Sequence, residues 1–322
     1  MQSSLTYNTV MLLGPTAVGK TAIGVKLADH FGWDIISADS RQVYKGLDIG
    51  SGKDLAEYTV GTKTLAYHLI DKVTLATEYN VFMFQQDFYN LFDECSAQSK
   101  IAFVVGGTGM YLDSVVRGYP FIEVPENAAL RVQLEKKSLE ELSAQLVSLK
   151  GGMENVHNKT DLLDRDRTTR AIEIALYMQS PEAEQKVKEQ SRNIIPFVMG
   201  TTLNREMLHR NIKIRLDERV KEGLIEEVEG LHAQGWSWQR LEKLGLEYRF
   251  VSEYLEEKFS SKEEMVEKLY HAICQFAKRQ ETWFRGMEKK GVPIHWLPLD
   301  VDKEVRYKAA VDLIEKNVLV KR

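Results

Sequence analysis

Residues 9–32 read TVMLLGPTAVGKTAIGVKLADHFG, and three local patterns follow one another there. Thr9 to Leu13 is a short, mostly apolar run that stops at Gly14, as a buried strand does. Apolar residues then recur at Ile23, Val25, Leu27, Ala28 and Phe31 before Gly32, a helical spacing closed by a glycine stop. Between the two, Gly14-Pro15-Thr16-Ala17-Val18-Gly19-Lys20-Thr21 fits G-x-x-x-x-G-K-[ST], in the strand, loop and helix context that this motif needs.

The chemistry of that loop follows from its residues. Glycines let the backbone curl so that several N–H groups and a helix N-terminus face one oxyanion, while Lys20 neutralises charge and the Thr21 hydroxyl can hold Mg2+. A diphosphate or triphosphate is expected there. The loop alone serves a kinase, an ATPase or another transferase equally well.

Working outward, WDIISADS (residues 33–40) reads as a second buried strand and IAFVVGGTGMYLDSVVRG (residues 101–118) as a third, with a helical segment between them. Strands alternating with helices predict an α/β fold, a P-loop NTPase-like parallel sheet flanked by helices and joined by right-handed crossovers. From about Phe121 the pattern turns helical and charged, with the Gly-rich KGGMENVHNKT (residues 150–160) inside it. The expected division is a core of residues 1–121 plus 197–322, with C-terminal helices, and an inserted helical lobe at 122–196. IIPFVMGTTL (residues 194–203) reads as a strand returning to the core sheet, residues 205–235 as one helical segment stopping near Gly235, and residues 263–288 as the most regular helix.

The 322 residues, 43% of them hydrophobic, suffice for one large α/β core and a smaller lobe. A formal net charge of -4 argues against a protein that coats nucleic acid by bulk electrostatics, but leaves room for a localised nucleic-acid site. Cys95 and Cys274 stand far apart without a CxxC or Cys/His cluster, so reduced, buried thiols are expected rather than a disulfide or a zinc site. No apolar run approaches the ~18 residues of a membrane span, and the opening MQSSLTYNTVMLLG has no basic region followed by a long apolar stretch and a cleavage site. A cytoplasmic protein, without a membrane and monomeric, is expected.

In a doubly wound sheet, ligands sit at the carboxyl ends of the strands. Gly19 to Thr21, Asp39 to Gln42 and Gly106 to Gly109 should therefore be neighbours. On position alone, Asp39 serves equally as a cap or a holder of metal-bound water and as a base that removes a proton from a nucleophile near the phosphate. In the turn after IAFVV, Gly106, Gly107 and Gly109 permit close approach to the backbone and Thr108 offers a hydroxyl.

With these pieces placed, the chain resembles the tRNA dimethylallyltransferases, or tRNA isopentenyltransferases. The resemblance is carried by GPTAVGKT, ISADSRQVYKGLDIGSGK, YHLID, VVGGTGMYL, RTTRAIEI, LNREMLH and QFAKRQETWFR, spread from about Val10 to Trp296. It implies transfer of a dimethylallyl group from dimethylallyl diphosphate to N6 of the adenosine immediately 3′ to the anticodon, with Mg2+ and the tRNA anticodon loop as partners. By resemblance, Asp39 is the base, Lys20, Thr21 and Arg205 act on the departing diphosphate, and Arg210 stands beside the family's second arginine position. Asp39, Ser40, Arg41, Gln42 and Thr108 match positions that face the RNA, as do Arg131 and Asp166, Arg167, Thr168, Thr169 and Arg170 in the lobe. His68, Trp283 and Phe284 match family positions too, and packing roles are expected for all three.

The chain departs from the family at three places. The second arginine position holds Asn211, with Arg210 just before it and Arg215 one turn after, and the sequence leaves open which arginine completes the diphosphate site. The GYKE-like turn appears as LGLEYRF (residues 244–250), and the lobe lacks the usual Asp-Pro before its DRxR-like helix. Competing readings are prenyl transfer to a free adenine nucleotide, a small-molecule kinase, and a nucleotide-dependent RNA-binding switch.

Overall fold

The structure is a computed structural model that describes residues 7–156, 159–299 and 301–319. Residues 1–6, which bear on the reading of the N-terminus, and residues 157–158 of the Gly-rich segment lie outside the described residues. The chain divides into two compact units, residues 1–118 with 193–322, and residues 119–192.

The first unit begins with β1 (Thr9–Leu13), α1 (Lys20–Phe31), β2 (Ile35–Ala38), the short antiparallel pair β3 (Thr59–Val60) and β4 (Lys63–Thr64), β5 (Tyr67–His68), α2 (Val81–Ala97), β6 (Ala102–Gly106) and α3 (Gly109–Val116). The second unit holds α4 (Ala128–Glu135), α5 (Leu139–Leu149), α6 (Arg165–Tyr177) and α7 (Pro181–Gln190). The first unit resumes with β7 (Pro196–Gly200), α8 (Arg205–Glu222), α9 (Leu224–Ala233), α10 (Trp238–Glu242), α11 (Leu246–Leu255), α12 (Lys262–Lys289), β8 (Ile294–Trp296) and α13 (Lys303–Asn317).

The main sheet has six strands in the order β5-β2-β6-β1-β7-β8, and every pairing in it is parallel. Burial on both faces explains the unbroken apolar runs that the strands show in sequence. Alternate residues of β1 enter opposite layers: Met11 and Leu13 join one core with Phe84 and Phe88 of α2 and Ala277 and Phe284 of α12. Val10 and Leu12 join the other, with Ile23 and Leu27 of α1 and Ala310 and Ile314 of α13.

Register brings the strand ends to one edge. Leu13 is level with both Gly106 and Gly200, and Ala38 with Gly106. The chain therefore leaves the sheet at Gly14, Asp39, Gly107 and Thr201 side by side.

Two expectations are corrected. Residues 101–118 are not a single strand, because the sheet ends at Gly106 and Gly109 opens α3, whose Tyr111, Leu112 and Val115 are buried at helical spacing. The segment 205–235 is two helices rather than one: Gly223, with φ +106°, closes α8 and starts α9. In the second unit, Leu134, Leu142, Leu146, Ile172 and Ala175 form a small core of their own, and α5 is opened by a reciprocal Ser138/Glu141 capping box.

Candidate active site

The phosphate loop runs from Gly14 to Gly19 between β1 and α1. A Cβ at Gly14 would lie 2.2 Å from the backbone oxygen of Thr201, so only glycine lets the end of β7 pass this closely. Gly19, at φ +82°, precedes α1 without a side-chain cap, and no acidic residue stands in the first turn. The first N–H groups of α1 and the positive end of its dipole thus face outward, as an oxyanion requires.

Lys20 folds back over the loop, where its ammonium donates to the Pro15 carbonyl at 2.5 Å. Burial, reinforced by the neighbouring Arg215 and opposed by Asp39, pulls its pKa down to about 7. The loop is fastened from α12 by a residue that the sequence reading passed over. Gln280 accepts from the Thr16 N–H at 2.9 Å and donates to the Gly107 carbonyl at 2.8 Å, joining the first and third strand-end loops.

Lys20, Thr21, Asp39, Ser40, Arg41, Gln42 and Thr108 line one cavity of about 580 Å³, together with Thr16 and Gly106 to Gly109. The three loops expected to converge do so. Asp39 does not cap a helix. Its Oδ1 accepts from the N–H groups of Arg41 at 2.8 Å and Gln42 at 3.3 Å, a tight turn that fixes the carboxylate. Thr108 accepts from the Ser40 N–H at 3.1 Å, and Gln42 donates to the Gly52 carbonyl at 2.9 Å.

On α8 the geometry shifts the expected arginines. Arg205 and Arg210 are exposed, and neither lines this cavity or the second one, of about 460 Å³, that opens on the phosphate loop. Arg215 and Arg219 line both. The helical period is the reason: Asn211, Arg215 and Arg219 are spaced by four and share a face, whereas Arg210 points about 100° away. Asn211 donates to the Ala17 carbonyl of the loop at 3.2 Å, and Arg215 pairs with Asp54 at 2.9 Å.

The loop carrying Asp54 is held by a further residue missed in sequence. The carboxylate of Glu227 on α9 accepts the N–H groups of Asp48, Ile49 and Gly50 at 2.9, 2.7 and 3.0 Å, and the Tyr248 hydroxyl at 2.8 Å. The LGLEYRF segment, expected as a turn, forms the first turns of α11 with Gly245 as their cap, and it supplies Tyr248 to this support and Gly245, Leu246, Glu247 and Arg249 to the cavity wall. Burial raises the carboxyl pKa of Glu247.

Phe284 is fully buried, in keeping with packing, but Trp283 is not: it is 41% exposed and lines the cavity beside Phe276. The spacing of Ile273, Phe276, Gln280 and Trp283 along α12 carried the signal, since all four fall on one helical face. His68 stands at the sheet margin in β5, 3.8 Å from Asp34, and lines neither cavity.

In the second unit, Thr168 is buried and its hydroxyl donates to the carbonyls of Asp161 and, at 2.7 Å, Asp164. Arg131 forks onto buried Glu173 at 2.8 and 2.9 Å, and Arg170 reaches the same carboxylate at 3.0 Å. Asp166 and Arg167 are exposed and Thr169 is half-buried.

A parallel sheet with a phosphate loop, a fixed carboxylate, half-buried Arg215 and buried Arg219 around one cavity defines a P-loop enzyme that acts on a phosphorylated substrate. A protein-family model described as IPP transferase matches residues 42–287. The chain is 52% identical over 292 residues to the tRNA dimethylallyltransferase 2 of Treponema denticola, covering 90% of this chain and 96% of that protein. The crystal structure of the full-length tRNA isopentenylpyrophosphate transferase of Bacillus halodurans matches with a TM-score of 0.67 and 29% identity over 96% of each chain. A eukaryotic dimethylallyltransferase acting on tRNA shares the fold, with a TM-score of 0.76 and 21% identity over 98% of this chain and 81% of that one. The chain belongs to the IPP transferase family, and its activity is that of a tRNA dimethylallyltransferase.

Proposed function

We propose that the enzyme transfers the dimethylallyl group of dimethylallyl diphosphate to N6 of the adenosine immediately 3′ to the anticodon, giving N6-isopentenyladenosine in tRNA. The observation that carries this reading is that Lys20, Thr21, Asp39 and Arg215 line a single cavity. An anion site and a base are thereby within one substrate's reach.

The allylic C–O bond breaks with its electron pair passing to the diphosphate, so negative charge grows where the loop N–H groups, Lys20 and Arg215 converge. The N6 amine, a weak nucleophile because its lone pair is delocalised into the ring, forms the new C–N bond and loses a proton to Asp39. Because the Asp39 Oδ1 is held by two backbone N–H groups, Oδ2 is the oxygen offered to the amine. The adenine leaves the anticodon-loop stack to enter the cavity, and Ser40, Arg41, Gln42 and Thr108 line the wall that it meets.

Mg2+ fits the donor set. Among the described residues no group of three or more His, Cys, Asp or Glu side chains could cage an ion, whereas the Thr21 hydroxyl lies on the anion cavity. That suits a cation held mainly by phosphate oxygens and water. When bound, it supplies further positive charge to the departing diphosphate.

In the second unit we assign RNA contact to exposed Asp166 and Arg167, with Arg131, Thr168, Thr169 and Arg170 shaping the surface that presents them. We place the enzyme in the cytoplasm as a monomer; no described helix is long and apolar enough to cross a membrane. Labelled dimethylallyl diphosphate with unmodified tRNA should label the RNA, and AMP should not compete as acceptor. Asp39→Ala should reduce turnover by about 10²–10⁴-fold, the usual worth of a general base. Activity that survives that change, in a protein with a native circular dichroism spectrum, removes Asp39 as the base.

A further inference from the structure

On the face of α8 turned to the cavities, Asn211 touches the phosphate loop, Arg215 follows one turn later and Arg219 a turn after that. Arg215 is supplied with acceptors, the Asp54 carboxylate at 2.9 Å and the Gly52 carbonyl at 3.4 Å. Arg219 is not. It is only 8% exposed, it pairs with that same Asp54 Oδ2 only loosely, at 3.6 Å, and its buried Nη2 makes no hydrogen bond.

A buried guanidinium N–H without an acceptor is costly, and such orphaned groups call for a partner. Arg219 lines both cavities that open on the phosphate loop, alongside Lys20 and Thr21. Gly52, at φ +64°, leaves the room that it fills: a Cβ there would lie 1.8 Å from Nη2. Arg219 shares the α8 face of Asn211, which touches the loop, and of Arg215, and it lines the same two cavities as Lys20.

Resting on the diphosphate reading above, we propose that Arg219 is a catalytic residue of the transfer reaction, binding the phosphate group of the diphosphate that the loop does not hold. The C–O electron pair goes to the diphosphate as before, and Arg219 stays protonated, neutralising charge that spreads to the outer phosphate as the bond breaks.

The test is calorimetric titration with inorganic diphosphate and inorganic monophosphate, both with Mg2+ present, alongside steady-state turnover with dimethylallyl diphosphate and tRNA. Arg219→Met should weaken diphosphate about 100-fold, leave monophosphate unchanged, and lower kcat/KM for dimethylallyl diphosphate by a similar factor. Arg219→Lys keeps the buried charge and loses the fork, and should weaken diphosphate about tenfold. Either variant binding diphosphate as tightly as the parent overturns the proposal. So does an equal loss in Asp54→Asn, because Arg219 would then act only by tying down the Asp54 loop. Lys20→Met reports separately on the loop: it should weaken both anions, and unchanged binding of both would instead sink the reading of the loop as the diphosphate site.

Discussion

Lys20 enters the free site with a pKa near 7, yet a bound diphosphate needs its ammonium. Burial and Arg215 lower the value in the absence of ligand, and an anion against the ammonium raises it again. Above pH 7 the free enzyme holds Lys20 increasingly neutral, so binding takes up a proton and apparent affinity falls as pH rises. At pH 8, titrations with inorganic diphosphate in buffers of different ionisation enthalpy should show uptake approaching one proton, and Lys20→Met should abolish the uptake. Equal heats in all buffers, with binding intact, would contradict this account. The same scale separates the arginines of α8: composition lists Arg205, Arg210, Arg215 and Arg219 alike, and only the helical phase, with what packs against each face, divides the exposed pair from the cavity pair.

At the scale of elements, the loop from Asp48 to Asp54 has no regular hydrogen-bond ladder over its first residues, and Glu227 on α9 takes its place by accepting three consecutive N–H groups. Hydrogen bonds to a charged acceptor are the stronger kind. Glu227→Leu should cost roughly 2 kcal/mol of stability, seen as a lower urea midpoint. It should also raise the KM for dimethylallyl diphosphate, because the same loop carries Asp54, the partner of Arg215. A loss of stability with unchanged KM would separate the loop from the anion site. This support was not legible in EEVEGL, where a carboxylate on a helical face reads like any solvated one. Gln280 was hidden for a similar reason: both of its partners lie more than 170 residues away in sequence.

At the scale of the whole molecule, the second unit is closed around a buried carboxylate. Hydrogen bonding from Arg131, aided by the Asn127 N–H and Arg170, lowers the pKa of Glu173 to about 2. A folded pKa below the unfolded value of about 4.3 gives stability that is fully present above the latter and lost as pH falls toward the former. The unit should therefore loosen between about pH 4 and pH 2. Glu173→Gln should weaken it already at pH 7 and flatten that acid dependence, as hydrogen exchange over α4 and α6 would measure. An unchanged acid profile in Glu173→Gln would remove Glu173 as its origin.

What the sequence by itself determined was everything written in short-range pattern. TVMLLG, GPTAVGKT and the spaced apolar residues of α1 specify a strand, an anion loop and a helix, because apolar period, glycine freedom and the loop's own donors are local properties. Alternation of strands and helices then implied a parallel sheet, and a parallel sheet brings its carboxyl ends together, which placed Asp39 and Thr108 beside Lys20. Tertiary structure alone decided which long-range side chains line the cavity: Gln280 bridging two strand-end loops, Trp283 open to the cavity, and Arg215 and Arg219 on its wall while Arg205 and Arg210 stay exposed. Their roles depend on the rotation of α8 and α12 against the sheet, which is set by the packing of residues such as Leu208, Ile212 and Phe284 with partners far along the chain, and no local pattern encodes that angle.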